Sequence, residues 1–310
     1  MLAPVNYAQI LFPDFSLILI GYLLCRHTAL NRSVWDSVEM LVYYFLFPVL
    51  LFHSIARSPL DLGAASSLMA AGLAMGVSGI GLAYLLPHLP GLRQRIDRRE
   101  HAASAQIAFR FNSFIGLALA ERLGGAQGLQ LIAVLIGVCV PLFNVAAVWP
   151  MARHGQRSFI SEIVRNPLII ATASGLIANL VGFTIPTWLA PTVSRIGMAS
   201  IALGLMTAGA GLQARALTQG KVLRVGVLTI RHLLLPLVAW LLARLFGLGA
   251  LETTVLLIFS ALPASSSSYV LAVRMGYNGP YVAGLVTLST LLAMASLPFA
   301  LGMLASLAAR

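Results

Sequence analysis

Charged residues are scarce in this chain, and their scarcity excludes an ordinary water-soluble domain. Only 9% of its 310 residues are Asp, Glu, Lys or Arg, whereas 59% are hydrophobic. A soluble globular domain carries about a quarter charged residues. Apolar runs of about 20 residues recur from end to end, each long enough to cross a bilayer as a helix. We therefore predict an all-α integral membrane protein, a single membrane domain over residues 1–310 surrounded by lipid bilayer.

Cysteine is scarce too, and familiar catalytic motifs are missing. The two cysteines, Cys25 and Cys139, lie far apart in apolar stretches, so we interpret them as reduced core thiols and predict no metal site. The sequence contains no zinc-protease motif, no nucleophile elbow and no glycine-rich phosphate loop. We therefore predict that the protein is not an enzyme and needs no cofactor.

Ten apolar spans follow one another along the chain. They cover approximately residues 7–24, 34–55, 64–86, 102–120, 129–151, 167–183, 189–212, 225–246, 251–273 and 281–304. Five spans per half is an odd number, so the two halves must have opposite orientations in the membrane. Residues 1–152 and 160–310 are therefore predicted to form two inverted repeats, an architecture common among secondary transporters.

Basic residues dominate the charged ones and give a formal net charge of +11. They are spread over short loops rather than along one face, so we interpret them by the positive-inside rule and predict no nucleic-acid partner. Most of them become cytoplasmic when the loops after the odd-numbered spans, including the most basic loop at 93–99, face the cytoplasm. Both termini are then outside the cytoplasm. Residues 1–4 include no basic residue, so the first span is predicted to be a retained helix and not a cleaved signal.

Polar residues interrupt two of the spans. Span four contains Arg110 and Asn112, and span nine contains Pro263 followed by Ser265–Ser268. Intramembrane charge normally faces protein or a water-filled cavity, and unwound backbone survives at that depth only in such places. Proline enforces the second break, and Asn112 with Ser113 can cap the helix after the first. Both following helices would point their positive N-terminal ends at the bilayer middle, which suits a carboxylate.

The candidate ligands come mainly from these interruptions, and several have two open interpretations. Arg110 is either a bidentate clamp for a carboxylate or a cap for carbonyls of the broken helix. Asn112 either contacts ligand or satisfies unwound backbone. Ser265 and Ser266 are expected to contact ligand or water, and the next two serines to bond back to their helix. The predicted substrate-binding set is Arg110, Asn112, Ser113, Pro263, Ala264, Ser265, Ser266 and His53.

Other intramembrane groups have no assigned role at this point. His53 lies near the end of span two, as a satisfied helix histidine or as a group that titrates near neutrality. Arg231 and His232 lie at mid-depth in span eight, where they hold a counter-charge or pair with a carbonyl. No acidic residue lies in the middle of spans four, five, nine or ten, which argues against an intramembrane sodium or proton site.

Three motifs together resemble the auxin efflux carrier family. They are Phe47–Ile55 (FPVLLFHSI), Phe109–Leu117 (FRFNSFIGL) and Ala261–Ser265 (ALPAS), and the likeness covers essentially the whole chain. It implies ten helices in two inverted repeats, with helices four and nine broken and crossing as in bile-acid-symporter and NhaA-like folds. It also implies a scaffold of helices 1, 2, 6 and 7, a transport core of helices 3–5 and 8–10, and a homodimer in the bacterial inner membrane.

The resemblance also implies the function. Bacterial members of this family include permeases for malonate or malate, so we predict a carrier of small carboxylates that works by elevator-type alternating access. Plant members have Pro-Asn at the first crossing, where this chain has Phe111-Asn112, and this difference together with Arg110 argues against auxin as the substrate. The alternatives are a sodium-coupled organic-anion symporter of the bile-acid type and an auxin-like monocarboxylate exporter.

Overall fold

The computed structural model describes residues 7–57, 62–152, 167–212, 220–265 and 267–304. These residues are helical almost throughout, and none of them belongs to a strand apart from one isolated bridge between two loop residues. The first half of the chain supplies α1 (Tyr7–His27), α2 (Arg32–Leu41), α3 (Phe47–Arg57), α4 (Leu62–Leu85), α5 (Arg98–Ser104), α6 (Gln106–Phe109) and α7 (Ser113–Ala152). The second half supplies α8 (Pro167–Leu180), α9 (Ala190–Ala210), α10 (Lys221–Thr229), α11 (Leu235–Leu245), α12 (Ala250–Ala261), α13 (Ser267–Arg274) and α14 (Gly279–Phe299).

Short π-helical segments join several of these helices without interrupting them. Val42–Leu46 links α2 to α3, Ile230–Leu234 links α10 to α11, and Ala300–Leu304 continues α14. A sharper change occurs inside α7, where Gly125 has φ 58 and ψ −150 and divides the helix in two. A positive φ is accessible to glycine at little cost, so Gly125 marks the turn that the sequence predicts between spans four and five.

Within the described ranges, six helical stretches are long and apolar enough to cross a membrane: Arg32–Leu50, Ser66–His88, Ser113–Met151 (which Gly125 divides), Ala190–Ala210, Lys221–Leu245 and Gly279–Gly302. Two more, Phe15–His27 and Ala250–Ala261, are apolar but shorter. The all-helical membrane fold is therefore confirmed. Helices are observed within all ten predicted spans, while the count of ten crossings and the inverted relation of the halves stay predictions.

The helices pack in two groups. In the first, α1 runs along α9, and α3 packs against both α8 and α9. The backbones of α1 and α9 approach so closely that a Cβ atom on Gly21 would collide with the Met206 carbonyl, and one on Gly209 with the Ile18 carbonyl. In the second group, α4, α7, α11 and α12 pack on one another, and α13 packs on α14.

Aromatic rings fill the core of the second group around the interrupted spans. Phe111 lies 4.3 Å from Phe259 and 5.9 Å from Phe143, measured between ring centroids, and Phe109 lies 5.8 Å from Phe143. All four side chains are at most 4% exposed. Such rings bury large apolar areas in preferred tilted geometries, so this cluster holds the two interruptions against each other.

Candidate functional site

The two interruptions meet in the structure. The first separates α6, which ends at Phe109, from α7, and the second separates α12 from α13. The Asn112 N–H donates to the Pro263 carbonyl at 2.9 Å, and the Ser265 N–H donates to the Arg110 carbonyl at 3.3 Å. These bonds flank an antiparallel bridge between Phe111 and Ala264. The prediction that the breaks lie side by side is therefore confirmed, and their backbones satisfy each other.

Local sequence explains why each helix stops where it does. Leu262, which precedes Pro263, has φ −56 and ψ 146, the extended conformation that a following proline favours. Helix α12 therefore ends at Ala261. After the first break, the Asn112 side-chain oxygen accepts hydrogen bonds from the N–H groups of Phe114 at 3.0 Å and Ile115 at 3.3 Å. Asn112 is thus the N-cap of α7, as the sequence predicts.

Arg110 is half-buried, and its guanidinium is held by side chains rather than by carbonyls. Nη1 donates to Gln106 Oε1 at 2.7 Å, and Nη2 donates to Ser267 Oγ at 2.9 Å. Gln106 is itself fixed because its Nε2 donates to the Ser268 carbonyl at 3.2 Å. Within the described residues, the guanidinium of Arg110 donates to no carbonyl of the broken helix.

The serine run differs in detail from the sequence prediction. Ser265 Oγ is hydrogen-bonded to Ser267 Oγ at 2.8 Å, and Ser267 also accepts from Arg110. The expectation that Ser267 bonds back to its own helix is therefore wrong, because it faces the guanidinium across the two breaks. Ser266 lies outside the described residues. Ser113 is the half-buried first residue of α7.

Arg231 is the residue that caps the broken helices. Its side chain is 1% exposed, and its three nitrogen atoms donate hydrogen bonds to carbonyls at the C-terminal ends of both α6 and α12. Nε donates to Leu262 at 2.6 Å, Nη1 to Phe109 at 3.4 Å and Nη2 to Phe259 at 3.5 Å. Of the two roles left open by the sequence, pairing with carbonyls is the one observed.

His232 supports the second break through a serine. Its two ring nitrogens lie 2.8 Å from Ser289 Oγ and 2.9 Å from Ser296 Oγ. Ser289 Oγ also accepts from the buried N–H of Ala264 at 2.8 Å. His232 therefore orients the hydroxyl that satisfies a backbone donor of the break. The buried His53 lies on α3 and takes no part in these hydrogen bonds, so its substrate contact stays a prediction.

The first turn of α7 lies where the two helix groups touch. The Phe114 ring centroid is 4.8 Å from that of Phe47 on α3. A Cβ atom on Gly204 of α9 would collide with the Phe114 ring. The breaks therefore belong to the second group but adjoin the first. A separate apolar cavity of about 550 Å³ lies between α3, α8 and α9 and includes no residue of the breaks.

Sequence reasoning missed three partners of the site. Gln106 lies four residues before Arg110, one helical turn away, and this spacing could have revealed it. Ser267 could have been found only by knowing how the second break faces the first. Ser289 lies on α14 in an apolar helix, and no local signal marks it.

The site contains cationic and neutral polar groups. Neither Arg110 nor Arg231 contacts a carboxylate in the part of the chain that the structure describes. The described part of the chain includes no group of three or more His, Cys, Asp or Glu side chains that could hold a metal ion. A guanidinium fixed in this way can bind a planar anion in bidentate fashion.

A family model described as "Membrane transport protein" matches residues 97–301, a range that includes both breaks and Arg231. No curated protein matches the chain.

Proposed function

Because the chain belongs to the auxin efflux carrier family of membrane transport proteins, we propose that it is a secondary carrier of small organic anions. We further propose that its substrates are carboxylates such as malonate or malate. The observation that carries this proposal is Arg110, a half-buried guanidinium between two broken helices whose described partners are neutral side chains. An intramembrane charge in such surroundings is a functional group by default.

The helices after the breaks add to the attraction for an anion. The N-terminus of a helix is equivalent to roughly half a positive charge, and α7 and α13 both begin beside Arg110. Gln106 and Ser267 each accept one hydrogen bond from a fork of five N–H donors. A carboxylate can therefore bind the same guanidinium without displacing both partners. Asn112, Ser113, Ser265 and Ser266 are the proposed neighbouring contacts.

For the transport step we propose movement of the second helix group against the first. The group that contains α4–α7 and α10–α14 carries the breaks, and α1, α2, α3, α8 and α9 form the wall beside it. Movement as a block would expose the site to either side while the backbone bridge between the breaks stays intact. We also propose that the protein works in the bacterial inner membrane with both termini outside the cytoplasm, as a homodimer.

Proteoliposomes with purified protein test the proposal. Wild-type protein should take up labelled malonate, whereas Arg110→Ala should lose uptake because the anion loses its charged partner. Arg110→Lys should recover little, since an ammonium cannot make two parallel hydrogen bonds to one carboxylate. Arg244→Ala is a matched control, because Arg244 is exposed at the end of α11. Uptake by Arg110→Ala at the wild-type rate would refute the role given to Arg110.

The same vesicles separate this proposal from the sodium-coupled alternative. Uptake is measured with and without imposed sodium, proton and potential gradients. The ion pairs and hydrogen bonds of Asp36, Glu39, Asp97 and Glu100 involve no residue of the breaks, so we expect uptake without sodium. A strict requirement for sodium would instead favour a symporter of the bile-acid type.

A further inference from the structure

One buried guanidinium serves both broken helices. Arg231 donates to Phe109 at the end of α6 and to Phe259 and Leu262 at the end of α12. In the first half of the chain, Gly79 of α4 approaches the end of α6. A Cβ atom there would lie 3.1 Å from the Leu235 side chain and 3.4 Å from that of Phe109. That side of the breaks has no room for a second long side chain, so Arg231 is shared.

The charge of Arg231 matches the charge of the helix ends that it binds. A helix C-terminus is equivalent to roughly half a negative charge. Because α6 continues α5 through the helical residue Ala105, the ends of α6 and α12 together offer about one negative charge. The guanidinium offers one positive charge, and it contacts no carboxylate among the described residues. With 1% of its side chain exposed, Arg231 is also inaccessible to a substrate. It must therefore act through its hydrogen bonds to the backbone and through its electrostatic potential at the substrate site.

We propose that Arg231 is a positioning residue for anion transport. It ties the C-terminal ends of α6 and α12 together and cancels their negative ends. The positive charge of Arg110 and of the α7 and α13 N-termini then acts on the substrate undiminished. This inference rests on the proposed function and adds to it the expectation that the crossing favours anions of higher charge.

The proposed role predicts that the loss of affinity caused by removing the Arg231 charge increases with the charge of the substrate. Without the positive charge of Arg231, the two helix ends repel a bound anion, and the energy of that repulsion is proportional to the anion's charge. With an effective dielectric constant of about 40 and a separation on the order of 10 Å, one negative charge loses about 4-fold in affinity. A dianion loses the square of that factor, about 16-fold. A purely structural defect would weaken both anions equally.

The test compares malonate with its half-amide, malonamate, which has nearly the same shape and one charge less. We expect Arg231→Gln to raise the KM for malonate about 16-fold and the inhibition constant of malonamate about 4-fold. Arg231→Lys keeps the charge, so the ratio of the two constants should stay as in the wild type. Its maximal rate should fall, because an ammonium cannot span all three carbonyls with a planar fork. Arg244→Gln serves as the matched control and should change neither constant.

Two results would overturn the inference. One is an equal change of both constants in Arg231→Gln, and the other is an altered ratio in Arg231→Lys. If Arg231→Gln is not recovered folded, Arg231→Met takes its place as the neutral variant, with the same expected change in the ratio of the two constants. A wild-type protein that takes up no malonate contradicts the proposed function itself, whereas wild-type uptake with equal changes contradicts only the role of Arg231.

Discussion

Replacing Asn112 separates its observed role, capping α7, from its proposed contact with the substrate. Asn112 is 4% exposed, and its side-chain oxygen accepts from two N–H groups of α7. Asn112→Ala removes the cap and leaves buried donors unpaired, at a cost of about 2 kcal/mol. We expect the unfolding midpoint to fall by about 4 °C. Asn112→Asp keeps an oxygen at the same place and adds a negative charge at a helix N-terminus, where it is favourable.

The aspartate should nevertheless abolish transport. A negative charge about 5 Å from a bound carboxylate costs about 3 kcal/mol per substrate charge at an effective dielectric constant of about 20. This corresponds to a loss of affinity of more than about 100-fold. The assays are thermal unfolding of the purified protein and malonate uptake by proteoliposomes. Stable Asn112→Asp protein with wild-type KM would refute the placement of the anion beside α7. An unchanged midpoint in Asn112→Ala would refute the capping argument.

Three further outcomes test the packing around the site. In a background without native cysteines, crosslinking of cysteines that replace Phe47 and Phe114 should stop uptake, and reduction should restore it. Undiminished flux through the crosslinked protein would favour local gating over block movement. Gly209→Ala should sharply reduce recovery of folded protein in size-exclusion chromatography, because the new Cβ would meet backbone, whereas Gly81→Ala meets nothing within 4 Å and should behave as wild type. Ser289→Ala should lower the free energy of unfolding by about 1–3 kcal/mol by leaving a buried N–H of the second break without its acceptor, and an unchanged denaturation curve would contradict this.

The breaks themselves could be predicted from the sequence because their causes are local. Proline at 263 shapes the residue before it and ends α12, and asparagine at 112 caps the helix that follows. Both effects depend on neighbours within three residues along the chain. The adjacency of the breaks was predicted from the resemblance to the family, which implies that helices four and nine cross.

The role of Arg231 could not be read from the sequence, because its partners are distant and belong to the backbone. Its acceptors lie 122, 28 and 31 residues away. Because every residue has a backbone carbonyl, residue type does not indicate which carbonyls accept these bonds. For the same reason Ser267 was assigned to its own helix, since only the approach of the first break brings Arg110 to it. The ten crossings and the inverted repeat depend on the position of the membrane, which helix bounds alone do not fix.

The bridge between Phe111 and Ala264 sets no requirement of its own on the side chain at position 111, whose ring is held instead by its contacts with Phe259 and Phe143. Its two hydrogen bonds use the carbonyl of residue 110 and the N–H of residue 112, so the N–H of residue 111 takes no part. Arg110 already has φ −77 and ψ 138, the conformation preferred before a proline. Proline, found at this place in plant members of the family, would therefore fit without removing either bond. The backbone frame of the crossing can therefore be kept when residue 111 changes, whereas the packing of the Phe111 ring on Phe259 and Phe143 is lost.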